Sequence, residues 1–317
     1  MKKNFEVSMF TSSDNNAFFL GIDGGGSKCK AIVVNANNEI LGTGISGPGN
    51  PLHGFEQATN SITESAKFAL KDAGLEHVKL NELNVGVGLA GVNLPVLFEQ
   101  MQAWQHPFKQ MFLATDLLVA CLGAHQGEDG AVIISGTGSC GFSYVDGHEF
   151  MIGAHGFPHG DKGSGAWFGL QAVKQVLLSL DGIVQPSIMN DVVLTKLDCK
   201  NDTALVEAVA GKAATYYAQL ANLVFDAAEQ GDKVALAIVA EGAEYINSIA
   251  RILWTKQPPR MSMIGGLTPR LEPWLDKGLQ AQLSAPLHAP EYGSVLFARQ
   301  ELVKQQGLIE SLSTSLV

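Results

Sequence analysis

Three consecutive glycines follow an aspartate in the segment DGGGSK at residues 23–28. Glycine reaches φ > 0 and leaves the backbone uncovered, so such a segment lets main-chain amides approach a ligand, commonly a phosphate. A tight hairpin is the alternative, because glycine-rich turns are common between strands. The apolar segment KAIVV at residues 30–34 predicts a strand after the glycines, whereas GxxxxGK[ST] and dinucleotide-binding loops run into a helix. The glycines therefore lie in a predicted hairpin turn that matches neither of those nucleotide loops.

The same pattern recurs later in the chain. The segments GAVIIS at residues 130–135 and CGFSYV at 140–145 predict strands on either side of a second small-residue turn. Asp146 and Gly147 then predict a hairpin into a third strand at residues 148–152. Two copies of strand, turn, strand, turn and strand indicate an internal duplication. Because the two turns are related, we interpret them as two loops that bind one polyphosphate rather than as two unrelated hairpin turns.

Helical and strand patterns alternate in the rest of the chain. Apolar residues recur near period 3.6 across residues 55–73, and this predicted helix ends before Gly74. The other predicted elements are strands at 83–89, 111–114 and 261–264, and helices at 95–104, 117–125, 161–180, within 203–254 and after 289–294. This alternation after each three-stranded pattern predicts an α/β fold with two related lobes around a cleft.

Composition narrows the classes of partner and compartment. The chain has 317 residues, enough for about two domains, and its net charge of −10 argues against nucleic acid or an anionic membrane as the main partner. Its four cysteines are scattered without a CxxC or Cys/His cluster, which argues against zinc or iron–sulfur sites and favours a reducing compartment. Residues 1–16 lack the apolar core of a signal peptide, and no apolar run reaches the roughly 18 residues of a membrane span. We therefore expect a cytoplasmic protein.

Four short motifs in order carry a family resemblance: DGGGS, a Thr-Asp pair ending at Asp116, SGTGS, and His-Gly-Asp ending at Asp161. With them, residues 18 to about 299 resemble the BadF/BadG/BcrA/BcrD-type ATPase family of the sugar kinase/Hsp70/actin superfamily. Within that family the chain is similar to bacterial glucosamine kinases and eukaryotic-type N-acetylglucosamine kinases. The resemblance implies two related actin-like (ribonuclease H-like) lobes around a cleft for ATP and sugar. It places the N-terminal lobe at residues 17–122 plus a C-terminal helix at about 291–306, the C-terminal lobe at 123–290, and a flexible extension at 1–16.

The resemblance also implies an activity, which is ATP- and Mg²⁺-dependent phosphorylation of the 6-hydroxyl of glucosamine or N-acetylglucosamine. The implied partner is a small amino sugar, with no nucleic acid or membrane partner, and a homodimer is left open. Asp23 would hold Mg²⁺ through water, since this ion keeps part of its hydration shell. The implied nucleotide-binding residues are Asp23, Gly24, Gly25, Gly26, Ser27 and Lys28 in a first phosphate loop, Ser135, Gly136, Thr137, Gly138 and Ser139 in a second, and Gly265 and Gly266 in an adenosine loop.

Asp116 matches the catalytic aspartate of these kinases. In that role it accepts the proton of the sugar hydroxyl as the oxygen attacks the γ-phosphorus. The alternative is that Asp116 is only the N-cap of the helix that follows, since aspartate is a common helix cap.

The resemblance implies a sugar site in two segments, at residues 46–50 and 155–161. Phe157 or Trp167 could stack on a sugar, although core packing is the alternative for each. His155 and His159 are expected to form loop hydrogen bonds rather than to bind zinc, because a third ligand is missing. Lys162 stands where relatives often have an acidic residue, which leaves the details of sugar specificity open. The implied substrate residues are Asn50, Asp116, Gly156 and Asp161.

Three other functions stay open at this point. The family also contains ATPases that activate 2-hydroxyacyl-CoA dehydratases through an iron–sulfur cluster on paired cysteines, but Cys29, Cys121 and Cys140 lie in or beside the proposed phosphate and catalytic segments. Another hexose could be the substrate. A non-catalytic sugar sensor is the third alternative, against which the presence of both Asp23 and Asp116 argues.

Overall fold

The computed structural model describes residues 18–314, so the extension predicted at residues 1–16 lies outside the described part. These residues form two compact units. The first runs to Glu128 and resumes at Leu287, and the second is the continuous segment Asp129–Pro286. In the described part, no helix combines the length and the apolar character needed to cross a bilayer.

The strands are β1 (Phe19–Gly24), β2 (Cys29–Val34), β3 (Ile40–Ser46), β4 (Asn84–Leu89), β5 (Gln110–Thr115), β6 (Gly130–Ser135), β7 (Ser139–Val145), β8 (His148–Gly153) and β9 (Met261–Ile264). The helices are α1 (Phe55–Asp72), α2 (Pro95–Gln102), α3 (Asp116–Ala124), α4 (Gly165–Leu180), α5 (Ile188–Lys196), α6 (Asp202–Val209), α7 (Ala214–Ala218), α8 (Ala221–Glu229), α9 (Lys233–Trp254), α10 (Thr268–Leu271), α11 (Lys277–Gln282) and α12 (Pro290–Thr314). Short 3₁₀ turns lie at Pro51–His53, Leu80–Glu82 and Glu272–Trp274.

The first unit is built on a five-stranded sheet in the order β3-β2-β1-β4-β5. β1, β2 and β3 form antiparallel hairpins, and β4 and β5 run parallel to β1. Alternate residues of β1 serve opposite faces, as the pleat of a strand requires. Leu20 and Ile22 belong to one core cluster, whereas Phe19 packs with Val295 and Ala298 of α12.

Helix α12 lies almost directly on the backbone of this sheet. A Cβ atom at Gly21 would overlap the carbonyl oxygen of Glu291, and one at Gly86 would overlap that of Ser294. The Ser294 hydroxyl donates to the carbonyl oxygen of Ile22 at 2.8 Å. Glycine in β1 and β4 therefore permits the close approach, and the C-terminal helix belongs to the first unit.

The second unit repeats this topology. Its sheet has the order β8-β7-β6-β9, with β6, β7 and β8 antiparallel and β9 parallel to β6. Leu283 forms an isolated parallel bridge to Met261 of β9, where the first unit has its fifth strand. The repeated strand order confirms the predicted α/β fold of two related units.

Helix α4 begins later than predicted. The sequence pattern gave a helix from residue 161, but Asp161 has a positive φ of 58°, which is incompatible with a right-handed helix. Ser164 is the actual cap, with its side chain accepting a hydrogen bond from the backbone N–H of Trp167 at 3.2 Å. Residues 161–163 are thus a turn in front of the helix.

Candidate active site

The first glycine turn joins β1 to β2 at residues 25–28. The Gly25 N–H donates to the carbonyl oxygen of Lys28 at 2.9 Å, and the Gly49 N–H donates to that of Gly25 at 2.9 Å. Gly26, Ser27 and Lys28 are exposed to solvent. The turn is therefore held at its base and open at its tip.

The fold requires only one of the three glycines in this segment. A Cβ at Gly24 would lie 2.5 Å from the Leu89 side chain, so packing accounts for Gly24. At Gly25 and Gly26 the nearest atoms would be 3.8 and 3.9 Å away, and neither residue has a positive φ. A hairpin alone does not explain glycine at these two positions, whereas close approach of a ligand to the turn does.

Asp23, the penultimate residue of β1, is a strongly perturbed carboxyl group. It pairs with Lys30 of β2 across the hairpin. The pKa of Asp23 is raised to about 7, chiefly by burial and then by the negative charges of Asp116 and Glu291, while the charges of Lys28 and Lys30 oppose these effects. Perturbed carboxyl groups of this kind concentrate at functional sites.

Asp116 is the first residue of α3, and the N-cap alternative for it is wrong. The cap is Thr115, whose Oγ1 accepts a hydrogen bond from the N–H of Leu118 at 3.2 Å. The Oδ1 atom of Asp116 accepts from the N–H of Leu117 at 3.0 Å. Burial raises the pKa of Asp116, and the backbone hydrogen bond from Leu117 partly offsets this. The carboxylate is thus oriented by the helix start without serving as its cap.

The second glycine turn joins β6 to β7, and its two flanking serines are buried. The Ser135 hydroxyl donates to the carbonyl oxygen of Gly163 at 3.1 Å, and the Ser139 hydroxyl donates to that of Lys162 at 2.7 Å. These serines therefore fix the turn against the loop before α4. The accessible part of the predicted segment is Gly136, Thr137 and Gly138.

The predicted adenosine loop lies beside this second turn. Gly265 has a φ of 110°, and a Cβ there would overlap the carbonyl oxygen of Ser135, so the fold itself requires this glycine. A Cβ at Gly266 would meet nothing within 4 Å, and one at Gly136 would lie 3.9 Å from the Gly266 nitrogen. The Leu267 N–H donates to Ser135 O at 3.1 Å. The second and third predicted nucleotide segments are therefore neighbours within the second unit.

Asp161 also lies against the second turn. Its Oδ1 accepts a hydrogen bond from the N–H of Gly156 at 3.2 Å, and a Cβ at Gly138 would lie 2.7 Å from its Oδ2. Burial raises the pKa of Asp161, opposed by the Gly156 hydrogen bond and the charge of His155. The structure thus brings together Gly156 and Asp161, two predicted sugar residues, and sets them beside a predicted phosphate turn.

The two aromatic candidates near the sugar segments pack against other side chains, whereas the two histidines face solvent. Trp167 is only 7% exposed and belongs to the core, while Phe157 is partly buried against Tyr217, with ring centroids 5.1 Å apart. His155 and His159 are exposed, and no group of three or more His, Cys, Asp or Glu side chains in the described residues could hold a metal ion.

Asn50 is engaged by the first unit. Its Oδ1 accepts from the N–H of Leu52 at 2.9 Å and caps a short 3₁₀ turn, which leaves the amide Nδ2 as the donor it would offer to a hydroxyl. Gly91, with a φ of 87°, packs against this side chain. The sequence signal for Gly91 is weak, because it is a single glycine two residues after the end of β4.

The carboxylates of the first unit fit a Mg²⁺ ion that is shared with a nucleotide. Asp23 offers hard oxygen donors, and the negative charge of Asp116 acts on it. Mg²⁺ is commonly bound through one or two carboxylates, water and substrate phosphates rather than by an all-protein cage. A donor set of this size suits that mode. All four cysteines are buried, so none presents a surface thiol for a paired-cysteine cluster.

The repeated units, each opening with a strand–glycine turn–strand motif, are those of the actin-like ATPase fold. Residues 20–298 match the model of the BadF/BadG/BcrA/BcrD ATPase family, and the chain belongs to this family.

Two curated relatives and two solved structures show how far the similarity extends. The glucosamine kinase of Vibrio cholerae is 33% identical over 287 residues, covering 89% of this chain and 95% of the relative. The N-acetyl-D-glucosamine kinase of Dictyostelium discoideum is 28% identical, covering 78% and 83%. A structure from Chromobacterium violaceum, provisionally named an N-acetylglucosamine kinase, has a TM-score of 0.84 at 29% identity and covers 89% of this chain and 99% of its own. A ROK family glucokinase from Streptomyces griseus shares the fold at 20% identity, with a TM-score of 0.54 and coverage of 90% and 100%.

Proposed function

We propose that this protein transfers the γ-phosphoryl group of ATP to the 6-hydroxyl of an amino sugar, glucosamine or N-acetylglucosamine. The observation that carries the proposal is the open glycine pair, Gly25 and Gly26, which the fold does not require, beside the half-buried carboxylates Asp23 and Asp116. The names of the Vibrio and Dictyostelium relatives, each matched over most of its length, support an amino sugar as the acceptor.

Backbone amides supply the proposed nucleotide contacts. Residues 24–28 of the first unit and Gly136 to Gly138 of the second bind the phosphates, and Gly265 with Gly266 binds the adenosine. Ser135 and Ser139 act as positioning residues, because their hydroxyls are already donated to the loop before α4. Amides held in this way cost no reorganisation when the charged phosphates arrive.

Asp116 is the proposed general base. Its carboxylate accepts the proton of the 6-hydroxyl while that oxygen forms a bond to the γ-phosphorus, and the bond from phosphorus to the oxygen bridging the β-phosphate breaks to release ADP. A raised pKa suits this role, because a base works best when its pKa lies near the working pH. Positioning by the Leu117 N–H holds the carboxylate in one orientation.

Asp23 is the proposed metal residue, and Ser27 and Lys28 at the tip of the turn complete the phosphate contacts. Bound Mg²⁺ would neutralise the charge of the β- and γ-phosphates. Asn50, Gly156 and Asp161 are the proposed sugar contacts, with Asp161 able to accept from a vicinal pair of hydroxyls.

A coupled ADP-release assay tests this function. Purified protein with ATP and Mg²⁺ is offered glucosamine, N-acetylglucosamine, N-acetylmuramic acid, glucose or no sugar, with EDTA as the metal control. We expect one or both of the first two sugars to stimulate ADP release above glucose, and EDTA to abolish it. The amino-sugar assignment is wrong if neither exceeds glucose or buffer.

A further inference from the structure

An ion pair stands next to the proposed metal carboxylate. Lys30 lies directly opposite Asp23 in the β1–β2 pairing, so both side chains leave the same face of the sheet. The Lys30 ammonium does not pair with Asp23 but lies 2.5 Å from Oε1 of Glu291, in the first turn of α12. The Glu291 side chain is only 6% exposed, whereas that of Lys30 is 32% exposed.

The position of Glu291 is fixed by main-chain packing. Its carbonyl oxygen lies where a Cβ at Gly21 would be, two residues before Asp23. Three residues further along the helix, the hydroxyl of Ser294 donates to the carbonyl oxygen of Ile22. Glu291 therefore presents its carboxylate from a helix that cannot shift along β1 without breaking these contacts.

We propose that Glu291 is a positioning residue that holds the Lys30 ammonium away from Asp23, so that the Asp23 carboxylate remains available to the hydrated metal ion of Mg·ATP. This inference rests on the proposed kinase function and adds to it a residue from the far end of the chain.

The physical reason is competition between two cations for one carboxylate. The charge of Lys30 acts on Asp23, as do the charges of Asp116 and Glu291. If Glu291 loses its charge, Asp23 becomes the stronger anionic partner at hand, because a long lysine side chain reaches its cross-strand neighbour easily. An ammonium on Asp23 would occupy oxygen lone pairs that the metal's water shell needs.

The experiment measures binding of Mn²⁺, a spectroscopic substitute for Mg²⁺, to the full chain with ADP, from the loss of the free-ion electron paramagnetic resonance signal. The variants are Glu291→Gln, Glu291→Asp and Lys30→Met/Glu291→Gln. Glu301→Gln is the matched control, because Glu301 also pairs with a lysine, Lys304, on the same helix, and its side chain is 29% exposed whereas that of Glu291 is 6% exposed.

We expect Glu291→Gln to weaken Mn²⁺ binding about tenfold and the double variant to restore it, because the competing ammonium is then absent. Glu291→Asp keeps the charge but cannot reach Lys30 as well, so it should weaken binding too, while Glu301→Gln should not. The proposal is overturned if Glu291→Gln binds Mn²⁺ like wild type, if the double variant stays as weak as Glu291→Gln, or if Glu291→Asp equals wild type, which would indicate a net-charge effect.

Two further comparisons keep the test decisive. If Glu291→Gln does not fold, the double variant carries the test, and metal binding about tenfold weaker than wild type would refute the proposal. Wild-type protein that binds no Mn²⁺·ADP refutes the kinase function together with this inference, whereas wild-type binding with an unaffected Glu291→Gln refutes the inference alone.

Discussion

At the scale of single residues, Thr115 and Asp116 divide two tasks that one residue often performs. Thr115 caps α3 by accepting a hydrogen bond from the Leu118 N–H, so the cap of the helix does not depend on the carboxylate of Asp116. The Asp116 Oδ1 atom accepts a hydrogen bond from the adjacent Leu117 N–H, which helps to fix the direction of the carboxylate. A substitution of Asp116 should therefore affect catalysis, whereas a substitution of Thr115 should affect the stability of the helix.

Replacing Asp116 with Asn should lower kcat by about 10²–10⁴ while ATP binding stays near wild type, because an amide of nearly the same shape cannot accept the proton. Steady-state kinetics and nucleotide titration measure the two effects. Thr115→Ala is the matched variant: it should cost about 0.5–2 kcal/mol of unfolding free energy and keep the base. A loss of kcat of about tenfold or less in Asp116→Asn, about 1.4 kcal/mol, would mean that Asp116 is not the base.

The raised pKa of Asp23 predicts that the free energy of unfolding of the metal-free protein depends on pH. Burial, together with the charges of Asp116 and Glu291, raises its pKa from 3.8 to about 7, so the stability contributed by the protonated carboxyl is complete below pH 3.8 and is lost as the pH rises through about 7. The free energy of unfolding of Asp23→Asn should therefore match that of wild type near pH 3.8. At pH values above about 7 it should exceed the wild-type value by about 1–4 kcal/mol. Urea unfolding in EDTA across this pH range measures the difference in unfolding free energy between the variant and wild type. A difference that does not change with pH would contradict the raised pKa of Asp23.

At the scale of elements, glycines in the turns fall into two classes. Gly24 and Gly265 are required by the neighbouring backbone or side chains, whereas a Cβ at Gly26 would make only an ordinary contact at 3.9 Å and one at Gly266 would meet nothing within 4 Å. Sequence alone shows glycine in both cases. Whether a glycine is required depends on the atoms that pack against it from other segments of the chain, such as the Leu89 side chain at Gly24 and the Ser135 carbonyl oxygen at Gly265.

Gly26→Ala should leave the free energy of unfolding near wild type but weaken ATP binding about tenfold, because the added methyl group projects where the phosphates approach. Gly24→Ala should destabilise the fold through its clash with Leu89. Gly278→Ala, at an open glycine in α11, is the control and should not affect nucleotide binding. Calorimetric titration with ATP and urea unfolding separate these results, and unchanged ATP affinity in Gly26→Ala would argue against a phosphate turn.

The sequence predicted the repeated hairpins and the alternation of strands with helices, because apolar periodicity and short turn motifs are local patterns. It did not predict that α4 begins at Gly165, since the positive φ of Asp161 depends on contacts with Gly156 and Gly138. The buried hydroxyls of Ser135 and Ser139 and the placement of Glu291 opposite Lys30 likewise depend on distant segments. Local chemistry was visible in the sequence, and tertiary partners were not.

At the scale of the whole molecule, the two units differ in how the chain builds them. The second is one continuous segment with its own core around α4, α8 and α9. The first needs both described ends of the chain, because Tyr292, Val295 and Ala298 of α12 complete the cluster that covers Phe19 of β1.

The fragment Asp129–Pro286 should therefore unfold cooperatively on its own, whereas residues 18–128 alone should not. Co-expression of residues 287–317 with residues 18–128 should restore cooperative unfolding of the first unit, because it returns the helix that covers the sheet. Circular dichroism during thermal unfolding measures each case. Cooperative unfolding of residues 18–128 alone would show that α12 is dispensable to the first unit.

The helix that closes the first sheet leaves the ribosome long after the strands that it covers. After β5 has been synthesised, the nascent polypeptide must extend through all of Asp129–Pro286 before α12 exists. At about 5–20 residues per second this delay lasts roughly ten to thirty seconds. Throughout that time the apolar face formed by Phe19, Ile32 and Val34 lacks its cover. During translation, the sheet of the first unit is therefore exposed to chaperones until α12 has been synthesised.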